Sequence, residues 1–356
     1  MPFNPYDINT DQRVHINLTK HSWSIIENDM TYINTYGKEN LSGMLNKIFY
    51  NYKDASSMSI GIVIDNLYDH YVQLFSQHKL PEENYQHIIK ALISEKKENF
   101  IRKSMSFKKG EGRKFRINNE NFLYLTDYSS ECNEEQYYTT VGKYLKALFE
   151  DYANLPFVER EQILFSSIIS RIKDAISNNH LIRFKNIDNM VFEVKPYTIQ
   201  TDSLVSFNYL LCYSRLFSRD SREVFQPASF RLSRLNPDSV KIMKSINGRL
   251  TEKEKRVLEE KVDKLGVENM LGSPQLFKVR LTDKGIKMYN NMISFRPTFS
   301  KREGNDLTFY STEFQIESYF FKFGEDAVVI EPRELCSKIY EKYSNAKRVY
   351  EEILET

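Results

Sequence analysis

The stretch that most constrains the fold is residues 207–235, which read FNYLLCYSRLFSRDSREVFQPASFRLSRL. It opens with an apolar, aromatic run, passes through a charged turn at 218–222 and returns in a second run. In that second run Ser229, Arg231 and Ser233 alternate with apolar residues. Alternation with period two is typical of a strand that has one buried and one available face. We therefore expect an antiparallel hairpin.

The available face of this hairpin has two interpretations. One positive charge and two hydroxyls suit a phosphate, a nucleotide or a carboxylate. Taken alone, however, the pattern favours a hairpin with a solvated face and no ligand. A binding site on this face therefore needs support from other parts of the chain.

Length and composition bound the class of protein. A chain of 356 residues exceeds one ordinary hydrophobic core, so two or three domains are expected. The net charge is only +2, so any nucleic-acid surface must be local. Cys132, Cys212 and Cys336 are far apart and form no CxxC pair, which disfavours a disulfide framework and fits a reducing cytosol. Long apolar runs are absent, so we expect a cytoplasmic protein without a membrane partner.

Motifs of catalysis are absent as well. The chain has no HExxH, GxSxG, P-loop or GxGxxG, and its six histidines have no metal-ligand spacing. The absence of a motif does not exclude a nuclease, but it favours binding over catalysis. We therefore expect no enzyme, no cofactor and no metal site.

A strand–helix–helix pattern occurs twice, in residues 12–54 and 113–154. Each copy has a strand of alternating polarity followed by two amphipathic helices. The apolar positions of the second helices correspond at one constant spacing: Met44, Leu45, Ile48, Phe49 and Tyr52 match Tyr144, Leu145, Leu148, Phe149 and Tyr152.

This order resembles the ribbon-helix-helix fold, in which two such units pair their strands into one antiparallel ribbon. The resemblance implies an intramolecular pseudo-dimer whose outward strand residues read a nucleic-acid groove. Those positions are His15, Asn17, Thr19, Arg116 and Asn118. A ribbon that serves only to pair the two copies is an equally open alternative.

The most basic segment of the chain leads into the second ribbon strand. Its cations are Arg102, Lys103, Lys108, Lys109, Arg113, Lys114 and Arg116. Such a density of positive charge favours phosphate contacts, and a solvated loop is the alternative. Gly110 and Gly112 are expected to make the segment flexible.

The remaining chain predicts two further domains. A long helix from Pro156 is expected to link the N-terminal part to barrel strands that begin at Leu181. A highly charged helical connection at 236–275 is expected to be solvated. From Phe277 the order βαββαβ with a terminal helix is the ferredoxin-like pattern. The expected α+β multidomain organisation is 1–154, 155–248 and 249–356.

Three short stretches carry a resemblance to the WYL domain. They are Lys195-Pro196-Tyr197, Asn208-Tyr209-Leu210 and Phe230-Arg231-Leu232-Ser233-Arg234-Leu235, with Asn208 where the family has Trp. The resemblance implies a small Sm-like β-barrel that binds nucleic acid or nucleotide-type ligands.

Taken over most of its length, the chain resembles the WYL-domain accessory proteins of type VI-D CRISPR systems. Residues 144–152, 159–161, 227–235 and 279–285 carry this wider likeness. It implies a homodimer that binds single-stranded RNA and enhances an RNA-guided RNase effector without catalysis of its own. In such proteins the C-terminal extension commonly mediates dimerisation.

The expected binding surface centres on Tyr209 and the face with Ser229 and Arg231, followed by Lys195 and Tyr197. A core tyrosine with a satisfied hydroxyl is the open alternative for Tyr209. Arg234 lies one register off Arg231, so it reaches the same site only past a strand end or bulge.

Two other functions stay open. A transcription regulator would bind duplex DNA through the ribbon and sense a ligand on the WYL domain. A purely structural interaction protein would bind no nucleic acid.

Overall fold

The chain forms two units, Met1–Ser167 and Ile168–Thr356, each with its own buried core. This computed structural model describes residues 3–4, 8, 11–33, 40–78, 81–202, 204, 206–217, 224–270 and 274–354. Helices are combined with antiparallel sheets, so the mixed α and β character predicted from the sequence is confirmed. No helix in these ranges has the length and apolarity that a membrane crossing requires.

The first unit consists of a two-stranded ribbon and helices. Its elements are β1 (Arg13–Leu18), α1 (Lys20–Ile33), α2 (Leu41–Tyr52), α3 (Ile60–Gln77), α4 (Glu82–Ser106), β2 (Glu111–Arg116), α5 (Asn119–Thr126), α6 (Val141–Ala153) and α7 (Phe157–Leu164). The strand–helix–helix order expected for each copy is observed, and the α3–α4 hairpin lies between the copies in sequence. The equivalent apolar residues of α2 and α6 are all buried, because both helices turn these stripes into the same core.

Buried carboxylates on α6 fasten the other elements of the first unit. Glu150 accepts hydrogen bonds at the start of α1, including one of 2.6 Å from the backbone N–H of Thr19. Asp151 accepts one of 2.9 Å from the Tyr52 hydroxyl and pairs with the Lys103 ammonium at 2.9 Å. Lys103 therefore belongs to the internal network of the unit and not to a free basic surface.

The helix predicted from Pro156 onward is two helices. The chain leaves helical geometry at the buried Phe165 (φ −104°, ψ 18°), and α8 (Ser166–Ser177) follows. The division between the two units falls at the start of α8.

A five-stranded antiparallel sheet follows α8. Its strands are β3 (His180–Lys185), β4 (Val191–Thr201), β5 (Asn208–Leu216), β6 (Gln226–Arg231) and β7 (Lys241–Asn247), in the spatial order β6-β5-β4-β3-β7. The predicted β5–β6 hairpin is confirmed, with Tyr209 opposite Arg231. Its charged turn at 218–222 lies outside the described residues.

Two expectations for this region are wrong. Alternation does not continue to Ser233, because β6 ends at Arg231 and residues 232–234 form a 3₁₀ turn that buries Leu232. The charged connection is not wholly helical either, since β7 uses part of it to pair with the edge of β3.

Helix α9 (Glu252–Leu265) also departs from its expected solvated state. A capping box between Thr251 and Glu254 starts the helix. Its Leu258 is fully buried and joins Tyr209, Leu211 and Tyr213 in one apolar cluster. Helix α9 therefore covers the part of one sheet face that is formed by residues 209–213 of β5.

The C-terminal part contains a four-stranded antiparallel sheet. Its elements are β8 (Gln275–Leu281), α10 (Asp283–Asn291), β9 (Phe299–Glu303), β10 (Asp306–Ser311), α11 (Glu313–Phe320), β11 (Ala327–Glu331) and α12 (Arg333–Leu354), with strand order β11-β8-β10-β9. The βαββαβ order is as predicted. Strand β9 starts at Phe299 instead of near Phe295, because Phe295 adopts a left-handed conformation (φ 56°) that turns the chain.

Candidate nucleic-acid interface

The outward face of the ribbon brings together basic residues from two distant parts of the chain. Strands β1 and β2 pair antiparallel, with Arg13 opposite Arg116, His15 opposite Lys114 and Asn17 opposite Gly112. Directly opposite residues share one face of a sheet, and Val14 and its neighbours on the other face are buried. The side chains of Arg13, His15, Lys114 and Arg116 are exposed.

Two glycines shape this face by the space that they leave to neighbouring groups. A Cβ on Gly110 would lie 2.0 Å from the backbone oxygen of Leu18, so only glycine allows the two strands to approach there. The backbone N–H of Gly110 also donates to the Asn17 side-chain oxygen at 2.6 Å. A Cβ on Gly112 would lie 2.4 Å from Nε2 of His15, so the imidazole occupies the space that glycine leaves.

The loop with Lys108 and Lys109 is held in place from α6. The ammonium of Lys146 donates to the backbone oxygens of Phe107 and Lys108, at 3.1 and 2.9 Å. Lys108 and Lys109 themselves are exposed just before β2. Their charges therefore extend the cationic face of the ribbon along one edge.

Arg113 does not belong to that face. It lies on the inner side of β2, pairs with Glu27 at 2.5 Å and Glu111 at 3.0 Å, and stacks its guanidinium 4.5 Å from the ring centre of Trp23. The hydrogen bonds that Arg113 donates to Glu27 and to Glu111 raise its pKa further above the ordinary arginine value. Arg113 stabilises the contact between ribbon and α1, and it does not lie with the outward cations that were predicted to contact phosphates.

Two further positions named from the ribbon pattern serve helix starts. The Thr19 hydroxyl donates to Glu150 at 3.0 Å at the start of α1. The side-chain oxygen of Asn118 accepts from the backbone N–H of Asn121 at 2.8 Å and caps α5. Neither side chain extends the outward face of the ribbon.

In the second unit, the face predicted to be available is largely covered. Tyr209 and Ser229 are each only 7% exposed, since α9 packs over this face of β5 and β6. Arg231 is half-buried, and its guanidinium lies 3.1 Å from the ring centre of Phe207. The geometry therefore favours the core-tyrosine interpretation of Tyr209.

Arg234 is exposed on the 3₁₀ turn beyond the end of β6. The strand end that the sequence argument required is thus present. The turn is tied to the β3–β4 loop, because the Arg234 backbone oxygen accepts from the Ile187 N–H at 3.1 Å.

Lys195 and Tyr197 contact acidic residues of α9. The Lys195 ammonium pairs with Glu254 at 3.0 Å, and the Tyr197 hydroxyl donates to Glu259 at 2.5 Å. Tyr197 stands at a bulge in β4, which aims its side chain towards the helix. The hydrogen bond to Glu259 raises the pKa of Tyr197 above its ordinary value. Both predicted residues are thus engaged by carboxylates of the same chain.

One group of charged residues on the same sheet was not identified from the sequence. Arg183 and Arg215 both pair with the buried Glu193, at 2.5 and 2.7 Å. Arg183 stands between the buried Ile182 and Phe184 on β3, and this alternation is the signal that could have identified it. Among the described residues, His, Cys, Asp and Glu side chains form no group that could hold a metal ion.

Comparisons with known proteins include an extensive structural match. No family model and no curated protein sequence matches the chain. A solved structure described as a CRISPR Cas-related protein superposes with a TM-score of 0.72 at 22% identity, over 99% of this chain and 97% of the other. The chain therefore shares its fold with that protein over its whole length. Proteasome accessory factor B/C of Arthrobacter aurescens matches with a TM-score of 0.25 and 14% identity, over 64% of this chain and 35% of the other, which is too low to establish a common fold.

Proposed function

We propose that the protein is a nucleic-acid-binding accessory protein of a CRISPR system, which binds single-stranded RNA, enhances an RNA-guided RNase effector and performs no catalysis itself. The full-length similarity of fold to a CRISPR Cas-related protein supports the accessory role. The cationic face of the ribbon supports the binding of nucleic acid.

The observation that carries the proposal is the placement of like charges on the ribbon. Arg13 faces Arg116 directly, and Lys114 lies one pair further along. Like charges opposite each other destabilise a strand pair. Neither Lys114 nor Arg116 makes an ion pair within the described residues. A polyanion bound to this face would offset the repulsion, and cations in a row can follow the phosphates of a strand.

The finer assignment of the three parts belongs to the same proposal. We assign the first unit to a ribbon-helix-helix-like domain, the five-stranded sheet to a WYL barrel of Sm-like type and the C-terminal sheet to a ferredoxin-like extension. The β1–β2 pairing and the two strand orders support this assignment. A cytoplasmic location agrees with an RNase effector as partner.

The C-terminal extension is also the proposed dimer contact. The apolar stripe of α12 starts at Leu335, which is buried against the sheet of the same chain. Further along, Val349 and Ile353 are exposed four residues apart on one face of α12. Exposed apolar residues in a row are typical of a protein contact. Sedimentation of the wild type and of Val349→Ser/Ile353→Ser tests this assignment, and a wild-type monomer at high concentration would contradict it.

The binding experiment compares single-stranded RNA, single-stranded DNA and duplex DNA of one sequence at two salt concentrations. We expect the wild type to prefer single-stranded RNA and to lose affinity with salt. Lys114→Ala/Arg116→Ala should weaken binding, whereas Lys90→Ala/Lys96→Ala on the exposed face of α4 is the control of equal charge. Arg231→Ala reports whether the five-stranded sheet contributes. No binding to any of the three would refute the proposal.

A duplex-DNA regulator is the second candidate, and the ribbon geometry favours it specifically. The major groove of B-DNA admits a two-stranded β-ribbon, with side chains of its outward face directed to the base edges. His15, Asn17 and Arg116 stand at the positions that would contact bases. Preference for one duplex sequence over single strands, with loss of that preference in Asn17→Ala, would replace the RNA proposal by this one.

A further inference from the structure

A row of charged side chains crosses the five-stranded sheet at one level. Lys241 on β7 lies opposite Arg183 on β3, Arg183 lies opposite Glu193 on β4, and Glu193 lies opposite Arg215 on β5. Directly paired residues share a face. The row lies in the second unit, whereas the ribbon lies in the first. It shares the face of Tyr209 and Arg231 but stands at the other end of β5.

The carboxylate at the centre of the row does not balance its cations. Arg215 donates from both Nε and Nη2 to the same oxygen of Glu193, at 3.0 and 2.7 Å, and Arg183 donates to the other oxygen. Although burial alone would raise it, the hydrogen bonds from both arginines hold the pKa of Glu193 below its ordinary value. Glu193 is therefore ionised at neutral pH, and three positive charges stand against one negative charge.

Aromatic rings flank both arginines. The guanidinium of Arg183 lies 3.9 Å from the ring centre of Phe217, and that of Arg215 lies 4.6 Å from the ring centre of Phe225. Phe217 is 37% exposed, a large fraction for an aromatic side chain. Stacked rings hold the guanidinium planes in place. Phe225 also packs against the apolar cluster under α9, so only the exposed part of the Phe217 ring is open to a planar group.

One donor of the row lacks a partner. Nε of Arg183 is buried and has no hydrogen-bond acceptor among the described residues, although 29% of the side chain as a whole is exposed. A buried donor without an acceptor costs about 1–3 kcal/mol. A ligand with acceptor oxygens that entered beside Arg183 would remove this cost.

We propose that Lys241, Arg183 and Arg215 bind the phosphate of a nucleotide and that Phe217 stacks on its base. The donors suit a phosphate because guanidinium groups match its oxygens, and Glu193 orients both arginines without neutralising them. The proposal rests on the proposed function in taking single-stranded RNA as the source of the nucleotide. It adds a second contact, in the unit that does not contain the ribbon.

The test measures binding of a short oligouridine RNA, of uridine 5′-monophosphate and of uridine to the full chain. We expect Arg183→Gln to weaken RNA binding about tenfold or more, because a hydrogen-bonded charge on the phosphate is lost. Lys241→Ala should weaken RNA binding less. It should also reduce the slope of log K against log salt by the contribution of about one phosphate contact. Lys244→Ala is the matched control, since Lys244 is an exposed lysine of the same strand that lies outside the paired row.

Glu193→Gln separates a ligand site from a structural ion pair. Removal of the negative charge makes the row more cationic, so binding should tighten even if the variant is less stable. A purely structural network predicts lower stability without tighter binding. Thermal unfolding of each variant checks that the protein is folded under the conditions of the binding measurement. Photocrosslinking of 5-iodouridine RNA should label the peptide that contains Phe217.

The outcomes distinguish this site from the proposed function. If Lys114→Ala/Arg116→Ala abolishes RNA binding while Arg183→Gln and Glu193→Gln leave it unchanged, the ribbon proposal stands and the site on the sheet is overturned. If the wild type binds no RNA but binds the mononucleotide, and Arg183→Gln weakens this binding, the site is supported with a free nucleotide as ligand. If neither RNA nor mononucleotide binds, both proposals fall.

Discussion

Replacement of Lys114 and Arg116 by alanine should separate binding from stability. Both side chains are exposed on the ribbon, and Arg116 lies opposite Arg13. The variant Lys114→Ala/Arg116→Ala removes two phosphate contacts from the proposed complex. In the free protein neither side chain makes an ion pair within the described residues, and Arg13 pairs with Asp11 at 3.2 Å, so the ribbon should be about as stable as before.

The expected magnitudes follow from the number of charges removed. Each phosphate contact contributes about 0.7 to the slope of log K against log salt for a single strand and about 0.9 for a duplex. The slope should therefore fall by about 1.4 with single-stranded RNA or about 1.8 with duplex DNA. At low salt, two exposed charge-assisted contacts correspond to about 2 kcal/mol, or roughly thirtyfold in affinity.

Fluorescence anisotropy at several salt concentrations measures both quantities, and thermal unfolding measures stability. The control, Lys90→Ala/Lys96→Ala, changes the net charge equally but lies on α4. Equal losses in the two double variants would mean that only net charge matters, which would refute a specific role for the ribbon. An unchanged slope would refute phosphate contact at Lys114 and Arg116.

Three further predictions concern stability. Gly110→Ala should destabilise the first unit by about 1–3 kcal/mol in denaturant unfolding, because the added Cβ meets backbone atoms. Gly112→Ala should destabilise it much less, because the added Cβ meets an imidazole that can rotate away. Asp29→Ala should cost about 3–5 kcal/mol, since it leaves the buried Arg160 guanidinium, 2.7 Å away, without its carboxylate. Burial raises the pKa of Glu134 to about 8. As pH rises from about 4.5 to 8, the wild type should therefore lose stability relative to Glu134→Gln, by up to about 1.4 kcal/mol per pH unit.

The direction of the last effect follows from proton binding. Between the unfolded and folded pKa values of Glu134, the folded state holds a proton that the unfolded state has released, so rising pH favours unfolding. A constant difference between wild type and Glu134→Gln across this range would contradict the prediction. For Asp29→Ala the control is Asp54→Ala, which removes an exposed partner of Lys53 and should change stability by about 0.5 kcal/mol or less. Equal effects of Gly110→Ala and Gly112→Ala would contradict the difference in their surroundings.

Much of the candidate interface was visible in the sequence as residue types but not as an arrangement. The basic segment and the alternation of β1 identified His15, Asn17, Lys114 and Arg116. The direction of Arg113 could not be assigned, because only the strand pairing decides that its side chain faces Trp23. Periodicity places a residue on a face but does not say which neighbour covers that face.

The five-stranded sheet illustrates the same limit. Alternation predicted the β5–β6 hairpin correctly, yet it left open whether Tyr209 and Ser229 face solvent or a neighbour. The charged α9 was expected to be solvated because most of its residues are polar. Its few apolar residues, with Leu258 at the centre, suffice to pack it on the sheet. A short apolar stripe has little weight in composition but decides contact in the folded chain.

The sequence by itself determined the local elements: the two strand–helix–helix copies, the hairpin and the βαββαβ order. These follow from periodicity, capping residues and turns, which act over a few neighbouring residues. Only the tertiary structure decided which charges meet. It set Arg13 against Arg116 and aligned Lys241, Arg183, Glu193 and Arg215 in one row. Register between strands depends on turn geometry and on the burial of whole faces, so it is a property of the assembled sheet and of no single segment.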